Sequence, residues 1–530
     1  MTVAALTLFC VLVTQPEPAG ARAQHLLGPR ATAVTSSSSG ALSLALDTLP
    51  DTTALAVVLA SPARMAALEA AWEELSALAS LPGGPIPDLI LARSFGAEPA
   101  GLLHTLRWGA IGLDAKSPLI VVPGIGAAPS LLRAGIADRK LLDQWLEALP
   151  GHERLQRRDE APLEIIAEDT ACAIVGASLF CQRGSSPGPD PLADLKRWAE
   201  LPSRRLAHVR PVATVAQALG SSMDVYAILR PGLLAPALER QALERASNAA
   251  TFKGPAAHRE AVLEARRLAQ RWGTWAGSIQ ATAVGARMVD GHLESRAELE
   301  LDDRLAAALA DTVGTEPIAP GIARWASTPA LARAVLRADR AMLADALHSL
   351  GFSISPEALG GSAALLVLGL DTECEAARSA HTSLRGALPA VIPTALAFGL
   401  GPSGVGAGQE SVAAYHGSKE PKAADAHVEG QTLFFASGPG GISAAVRRLN
   451  GGTARAALAS GVFFDGSVDL AAVAAALDAG DIDGGTRPEL RSFSETYRRL
   501  RPFLDRFRVL ELSAESEARG HRVRIRATGY

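Results

Sequence analysis

The sequence predicts an α+β fold, built as two tandem related repeats, each a mostly antiparallel sheet with helices packed on one face. Hairpin signals predict the antiparallel sheets, because they outnumber strand–helix–strand units along the chain. A recurring order of elements predicts the repeats, since matching segments lie about 230–270 residues apart. The length of 530 residues favours two large domains, because a single ordinary core does not extend over so long a chain.

The N-terminus predicts a secretory signal peptide over residues 1–23. Val3 to Val13 form an apolar run that is too short to cross a bilayer as a helix, and Pro16 and Pro18 follow it. Ala21-Arg22-Ala23 then places small residues at the positions that a signal peptidase reads. A basic segment before the apolar run is missing, and a buried N-terminal strand is the alternative interpretation.

The folded part is predicted to follow a flexible linker at residues 24–45, which includes a Ser-rich stretch before Gly40. Repeat domain 1 is predicted over residues 46–302, and repeat domain 2 over residues 316–530. The polar segment Thr315-Glu316-Pro317 is predicted to link the two domains.

Each copy is predicted to open with a strand, a Ser/Thr-Pro pair and a helix. In the first copy the strand is Ala54 to Leu59, and Ser61-Pro62 suits the N-cap and first turn of a helix that runs to about Ser80. The corresponding segments of the second copy are Ala323 to Ala326, Ser327-Thr328-Pro329 and a helix to about Leu350.

A hairpin in the middle of each copy is the sharpest match between them. The first copy has Gly176 to Phe180 and the second has Gly430 to Phe434, and both segments read Gly-x-hydroxyl-Leu-Phe. In this alignment Cys172 corresponds to Ala426, and Cys181 corresponds to Phe435. Both cysteines are therefore absent together from the second copy, as expected of a pair that works together.

A disulfide is predicted between Cys172 and Cys181. A two-residue turn at Gly176-Ala177 places the two cysteines opposite each other at a non-hydrogen-bonded position, where side chains approach most closely. Two reduced, buried cysteines are the alternative, because cysteine is among the most buried residue types. Cys374 is left alone and could be a buried thiol or an intermolecular link.

Each copy is predicted to close with an apolar strand, a basic helix and a hairpin. The strands are Asp224 to Leu229 and Gly461 to Asp465, the basic helices are His258 to Trp272 and Arg487 to Arg506, and the turns are Asp290-Gly291-His292 and Arg519-Gly520-His521. The basic helices are typical of solvated faces with internal ion pairs, and binding to an anionic lipid or polymer is the alternative.

The order of elements resembles a loose group of uncharacterised exported bacterial proteins with a tandem domain of unknown function. The resemblance rests on the signal, on Leu49-Pro50-Asp51-Thr52 before the first strand, on the tandem copy and on the Gly-centred hairpin of each copy. It is spread thinly over residues 46–528. It implies no activity, ligand or catalytic residue.

No motif in the sequence points to a metal, a cofactor or a catalytic nucleophile, so none is predicted. His292 and His521 share the position after the terminal turns, but turn-flanking polar residues are usually solvated. The acidic segment around Asp478 to Glu489 does not fit a calcium loop. Gly401 to Gly408 is predicted to be a hairpin loop, because Ser411 to Tyr415 resembles a strand. Gly438 to Gly441 lacks the lysine of a phosphate-binding loop.

These observations favour an exported cell-envelope protein, periplasmic or extracellular, that binds or scaffolds without catalysis in the groove between the repeats. Its partner is unknown and could be another envelope macromolecule or an apolar ligand, and one copy could bind while the other supports it. The net charge of −4, without a basic-aromatic cluster, disfavours nucleic acid. No later apolar run is long enough for a transmembrane helix. A cryptic hydrolase with a spatially assembled site is the alternative.

Overall fold

The structure is a computed structural model. It describes residues 40–65, 108–124, 130–148, 164–167, 170–183, 195, 198, 204–236, 239–240, 243, 259, 262–263, 266, 273, 276–312, 322, 332–338, 340–349, 351–368, 394–417, 424–437, 462–469, 509–516 and 521–529. The chain divides into two compact units. The first unit comprises residues up to Gly291 and Ser295–Asp302, and the second comprises His292–Glu294 and the chain from Asp303 onward.

The first unit contains a sheet in which every recorded pair of strands is antiparallel. Its order is β4-β5-β6-β3-β2-β1-β7-β8. β9 follows β8 through the two-residue turn at Asp290-Gly291, where both residues have positive φ. The strands are β1 (Leu55–Leu59), β2 (Leu119–Val122), β3 (Ser130–Gly135), β4 (Glu164–Ala167), β5 (Thr170–Val175), β6 (Ser178–Arg183), β7 (Val225–Leu229), β8 (Ile279–Val289) and β9 (His292–Leu301).

The second unit contains a sheet that is also antiparallel throughout its recorded pairs. Its order is β13-β14-β12-β11-β10-β15-β16-β17. The strands are β10 (Ala332–Arg337), β11 (Leu359–Leu368), β12 (Thr394–Leu400), β13 (Ala424–Glu429), β14 (Thr432–Ser437), β15 (Val462–Asp469), β16 (Val509–Ser516) and β17 (Arg522–Gly529).

The two sheets have the same strand order. In the first unit β5-β6-β3-β2-β1-β7-β8 are neighbours in that sequence, and in the second unit β13-β14-β12-β11-β10-β15-β16 are. Numbered along each copy, leaving β4 aside, both orders read 4-5-3-2-1-6-7. The predicted α+β, mostly antiparallel fold is therefore confirmed, and the shared order is what the predicted repeat requires.

Two helices of the first unit, α1 (Ala41–Thr48) and α3 (Arg210–Leu219), pack on one face of its sheet. α3 buries side chains at positions spaced by three and four residues, which gives it a single apolar stripe. Pro211 lies in its first turn and Gly220, with positive φ, follows its end. Together with Val58 and Tyr226 of the sheet, these helices form a continuous hydrophobic core. A further helix, α2 (Arg139–Ala148), follows β3.

Helix α1 corrects the last residues of the predicted linker at residues 24–45, and residues 24–39 of that linker lie outside the described residues. Leu42, Ala45 and Leu46 are buried, and Leu49 beyond the helix is buried too. The spacing of these apolar residues is helical, and it lies directly after the Ser-rich stretch that suggested a linker. The folded part of the unit therefore extends back to the start of α1. The predicted helix after Ser61 begins as a short 3₁₀ turn, Pro62–Arg64, and the Ser61 hydroxyl donates to the Ala115 carbonyl instead of capping it.

In the second unit, α5 (Arg340–Ser349) and α6 (Gly404–Gly417) pack on one face of the sheet, and α4 (Asp303–Thr312) precedes them. The Phe352 ring lies 4.8 Å from the Tyr415 ring and 5.6 Å from the Phe435 ring, so α6 and β14 share an aromatic cluster. None of the helices within the described ranges is long and apolar enough to cross a bilayer.

Strand β10 corrects the predicted opening of the second copy. The sequence favoured a helix from about Pro329 to Leu350, because Ala, Leu and Arg are good helix formers. The structure places a strand at Ala332–Arg337 and begins the helix at Arg340. Pairing with both β11 and β15 makes β10 a central strand, so tertiary hydrogen bonds override the local helix propensity.

Several predicted features lie outside the described residues, and they stay predictions. They are the signal peptide, the boundary segment 315–317, the first strand predicted at 323–326, Cys374, the glycine-rich segment 438–441, the acidic segment 478–489 and the basic helix 487–506.

Candidate binding surface

One face of the second sheet carries charged and hydroxyl side chains along four adjacent strands. The registers place Arg333 opposite Ser467, and Ser467 opposite Glu511, so these side chains share a face. Arg524 lies opposite Glu515 on the same face. We call this surface the charged face: Arg333, Arg337, Asp465, Ser467, Asp469, Glu511, Ser513, Glu515, Arg522, Arg524 and Arg526.

The alternation of side chains along each strand produces this face. Successive residues of a strand point to opposite sides, so a period-two pattern separates polar from apolar residues. Ala514, Val523 and Ile525 point to the opposite side, and all three are buried. The pattern therefore pins the register of β16 and β17, since a shift of one residue would bury the charges.

Glu515 is the centre of the best-defined contacts on the charged face. Its Oε1 atom accepts from Arg524 Nη1 at 2.8 Å and from Arg526 Nη2 at 3.2 Å. Side-chain exposure is 35% for Glu515, 29% for Arg524 and 50% for Arg526, so solvent screens these pairs. Such pairs each contribute about 0–1 kcal/mol to stability, and their main effect is to orient the side chains.

A second set of contacts lies on β10 and β15. Arg333 Nε donates to Ser467 Oγ at 2.8 Å across the strand pair. Arg337, four residues further along β10 on the same face, is buried, and burial lowers the pKa of its guanidinium. Arginine keeps its charge in proteins even so, and the charged face therefore holds a buried positive charge at β10.

Over β1, β7 and the start of β8, the equivalent face of the first sheet is apolar. Phe180 corresponds to Phe434 in the aligned hairpins, which identifies the same face in both sheets. In the first unit this face presents small and large apolar side chains, and α1 and α3 cover them. Those side chains are Ala56 and Val58 of β1, Tyr226 and Ile228 of β7, and Ala281 and Ala283 of β8. Positions on β1, β7 and the start of β8 that form core in the first unit therefore hold Arg333, Asp465 and Glu511 in the second.

A separate charged group in the first unit has a structural role. Asp224, directly before β7, is buried, and its Oδ1 lies 3.1 Å from Arg64 Nη2. Burial raises the pKa of Asp224, and Arg64, the Met288 amide and Arg287 partly offset that rise. The pair joins the turn after β1 to the start of β7. The neighbouring Tyr226 hydroxyl accepts from the Met223 amide at 3.0 Å, which fixes the ring under α3.

The predicted cysteine pair is brought together by the β5–β6 hairpin. Cys172 lies directly opposite Cys181, and their Sγ atoms are 2.08 Å apart, which fits a disulfide bond. Gly176 has positive φ at the turn, as its predicted position requires. Ala426 and Phe435 occupy the matching positions of the second hairpin, in the predicted register. The predicted disulfide agrees with export, because such bonds persist in oxidising compartments.

The other candidate residues are not assembled into a site within the part of the chain that the structure describes. His292 begins β9 and is exposed, and His521 precedes β17 with its Nδ1 atom 3.8 Å from Asp303 Oδ1. No group of three or more His, Cys, Asp or Glu side chains within the described ranges could hold a metal ion.

The prediction of a hairpin loop at Gly401 to Gly408 is wrong. It opens helix α6, and Ser411 to Tyr415 are helical where the sequence favoured a strand. Close packing explains the glycines: a Cβ atom at Gly404 would lie 1.8 Å from the Ala358 carbonyl oxygen, and one at Gly408 would lie 2.7 Å from Leu400 Cδ1. The helix therefore approaches the backbone after α5 more closely than any other residue would permit.

Sequence reasoning missed the charged face because it misassigned one of its strands. β10 was predicted as part of a helix, so Arg333 and Arg337 were not seen to alternate with apolar residues. Val523 and Ile525 alternate with Arg522 and Arg524 along β17, and this period-two pattern was the available signal.

Comparisons with known proteins do not identify a family. No known family profile matches the chain, and no curated protein matches it. Among solved structures, crystal forms I, III and IV of TP0453 show 9%, 8% and 9% sequence identity and TM-scores of 0.27, 0.25 and 0.25. The matches cover 48%, 50% and 49% of this chain and 78%, 84% and 83% of TP0453. Similarity at this level assigns no function, and the resemblance to exported proteins with a tandem domain stays a prediction.

Proposed function

We propose that the chain is an exported, non-enzymatic protein that binds another protein of the cell envelope through the charged face of its second unit. The first unit, whose corresponding face is core, acts as the structural support. One observation carries this proposal: positions that hold Ala56, Tyr226 and Ala283 under the helices of the first unit hold Arg333, Asp465 and Glu511 in the second, at intermediate or high exposure.

The chemistry of the charged face favours a protein partner over a polyanion. Five arginines are interspersed with four carboxylates, whereas a surface for a polyanion would be dominated by positive charge. Mixed charges suit a partner surface with a complementary pattern of both signs, which gives specificity and orientation more than affinity. The proposed interaction should therefore weaken as salt increases. The groove between the repeats, which the sequence suggested as the binding place, stays a prediction.

Charge reversal on the charged face tests the proposal. The double variant Glu511→Lys/Arg526→Glu changes two exposed side chains, and the partner should be recovered from it at least about tenfold less in cross-linking and affinity purification from intact cells. The matched control is Arg139→Glu/Asp143→Arg on α2, which reverses an exposed pair with a 3.0 Å contact in the first unit. Equal recovery from both variants would count against the charged face.

Export needs a separate test. N-terminal sequencing of the protein recovered from the envelope fraction should find Gln24 as the first residue, because Ala21-Arg22-Ala23 places the cleavage before it. Retention of Met1 in cytoplasmic protein would remove the envelope partner from the proposal, while leaving the charged face as a binding surface.

A further inference from the structure

The outer edge of strand β13, at the end of the second sheet opposite to the charged face, carries an unusual arrangement of side chains. β13 and β14 are joined by the two-residue turn at Gly430-Gln431, so the closing pair Glu429–Thr432 is hydrogen-bonded and the pairs alternate along the hairpin. Ala426, opposite Phe435, is at a non-hydrogen-bonded position. Its amide and carbonyl therefore point away from β14, toward the edge.

Two side chains satisfy these outward groups. The Ala426 amide donates to Asp425 Oδ1 at 2.9 Å, and His416 Nε2 lies 3.0 Å from the Ala426 carbonyl oxygen. The same His416 nitrogen lies 3.3 Å from Asp425 Oδ1, so it carries the hydrogen that both acceptors require. His416 is 45% exposed and Asp425 is 61% exposed, so both can turn into solvent at little cost.

The first unit shows what the same edge position can accept. Cys172 corresponds to Ala426, and in the first unit its outward side pairs with β4, where Ile165 lies opposite Cys172. The pairing is antiparallel and covers four residues, Glu164–Ala167. An added strand at this edge is therefore compatible with the fold. Within the described residues, β14 is the strand that pairs with β13, and the side chains of His416 and Asp425 occupy the position that β4 fills in the first unit.

The sequence of β13 complements itself at this edge. If two β13 strands pair antiparallel about Ala426, Asp425 of each strand lies opposite His427 of the other. The Asp425 carboxylate can accept a hydrogen bond from the His427 ring that lies opposite it, and two-fold symmetry makes this contact twice.

We propose that the β13 edge binds the β13 edge of a second copy of this chain, forming a two-fold symmetric pair in which the sheet of the second unit continues across both copies. Asp425 leaves the Ala426 amide and faces His427 of the partner copy, and the two Ala426 residues exchange backbone hydrogen bonds. His416 turns into solvent or contacts the partner's Asp425. This inference goes beyond the proposed binding role, because it uses the opposite end of the sheet from the charged face.

Sedimentation velocity of the mature chain from about 1 µM to about 200 µM tests the pairing. The mass should rise from that of one chain toward twice that value, with a dissociation constant of about micromolar or weaker, because a single strand pair buries little area. Ala426→Pro removes the outward amide without removing a bond to β14, and it should weaken association at least about tenfold. A chain that stays monomeric throughout, or a dimer that Ala426→Pro leaves unchanged, would overturn the proposal.

Exchange of Asp425 and His427 provides a second test. Association should recover in the double variant only if these two residues face each other across the two copies. Asp425→His alone and His427→Asp alone each place two identical side chains opposite each other and remove the carboxylate–imidazole hydrogen bond, so each should weaken association about tenfold. The double variant Asp425→His/His427→Asp restores unlike pairs and should return the dissociation constant to within about threefold of the starting value. Any cost of placing a carboxylate beside Glu429 acts on the monomer and the dimer alike. Failure of the double variant to recover association would reject the proposed register.

Discussion

The two units use one strand order for different purposes. In the first unit, all five residues of β1 are buried, and helices α1 and α3 cover the face that carries Val58 and Tyr226. In the second unit, β10 and β15 correspond to β1 and β7; most residues of β15 are only half-buried, and Arg333 and Asp465 lie on the same face. Topology therefore does not decide which face of such a sheet becomes core. The alternation of side chains along the central strands decides it.

The edges of the two sheets differ in the same way. β4 pairs with β5 and closes the edge of the first sheet with a backbone strand. At the equivalent edge of the second sheet, His416 and Asp425 satisfy the backbone with side chains. A paired strand stays in place, whereas exposed side chains can move away from the backbone groups that they satisfy. The second unit therefore combines a solvated face with an edge whose backbone groups can become accessible.

The largest expected effect on stability is at Phe180 and Phe434, which occupy matching positions in the two sheets. Phe180 and Phe434 are both buried, and Phe180 contacts the Trp198 ring edge-on at 4.9 Å. Phe180→Ala and Phe434→Ala should each lower the free energy of unfolding by about 3–5 kcal/mol, because each leaves a large cavity. Urea unfolding followed by circular dichroism measures this. Leu233→Ala, at a 48% exposed position, is the control and should change little. A small effect at Phe434 alone would break the equivalence of the two faces.

The disulfide distinguishes the two hairpins. Cys172→Ala/Cys181→Ala should lower the free energy of unfolding by about 2–3 kcal/mol, because the bond closes a short loop and restricts the unfolded chain. Reduction of the unmodified protein should have an effect of similar size, measured by thermal unfolding with and without reductant. If the reductant leaves the unfolding temperature unchanged and both thiols react with alkylating reagent before reduction, the cysteines are free instead.

Gly404, the first residue of α6, tests how closely this helix packs against the backbone at Ala358. Gly404→Ala should cost about 1–3 kcal/mol, since the new Cβ would meet the Ala358 backbone and not a flexible side chain. Gly406→Ala, two residues away in the same helix, has open space and should be neutral or stabilising. The difference between the two free energies of unfolding is the informative quantity, and equal effects would argue against the close approach of α6 to residue 358.

The smallest expected effect is the pH dependence that Asp224 gives to the first unit. Burial raises the pKa of Asp224 above 3.8 in the folded state, so folding favours the protonated form. The stability that this group contributes is therefore lost as pH rises from 3.8 through its folded pKa. Asp224→Asn, which carries no charge, should gain stability relative to the unmodified chain between pH 3 and pH 7. Chemical unfolding at both pH values measures that difference, and a relative loss would contradict the direction of the shift.

Much of the sheet could be predicted from local patterns. The hairpins at Gly176 and Gly430 formed in the predicted register, because a two-residue glycine turn fixes the pairing of the strands that flank it. The turn at Asp290-Gly291 followed for the same reason. These features depend on residues that are adjacent in sequence, so local patterns alone determine them.

The errors arose where long-range pairing decides the structure. Ala332–Arg337 contains good helix formers, and its two partner strands are distant in sequence, so its strand state was not visible locally. The segment after Gly404 was misassigned because its glycines suggested a loop, whereas they permit close packing of a helix. The binding surface was missed for the same reason, since its residues come together only through the pairing of β10, β15, β16 and β17.

The cross-link between β5 and β6 changes what a protease can do to the first hairpin. Gly176 and Ala177 at the tip are exposed, as are Gly430 and Gln431 in the second hairpin. A cut at the first tip would leave its two strands covalently joined through Cys172 and Cys181, and the fragments would separate on a gel only after reduction. A cut at the second tip would have no such tether. The first hairpin therefore stays covalently joined after a cut at its tip, whereas the second hairpin does not.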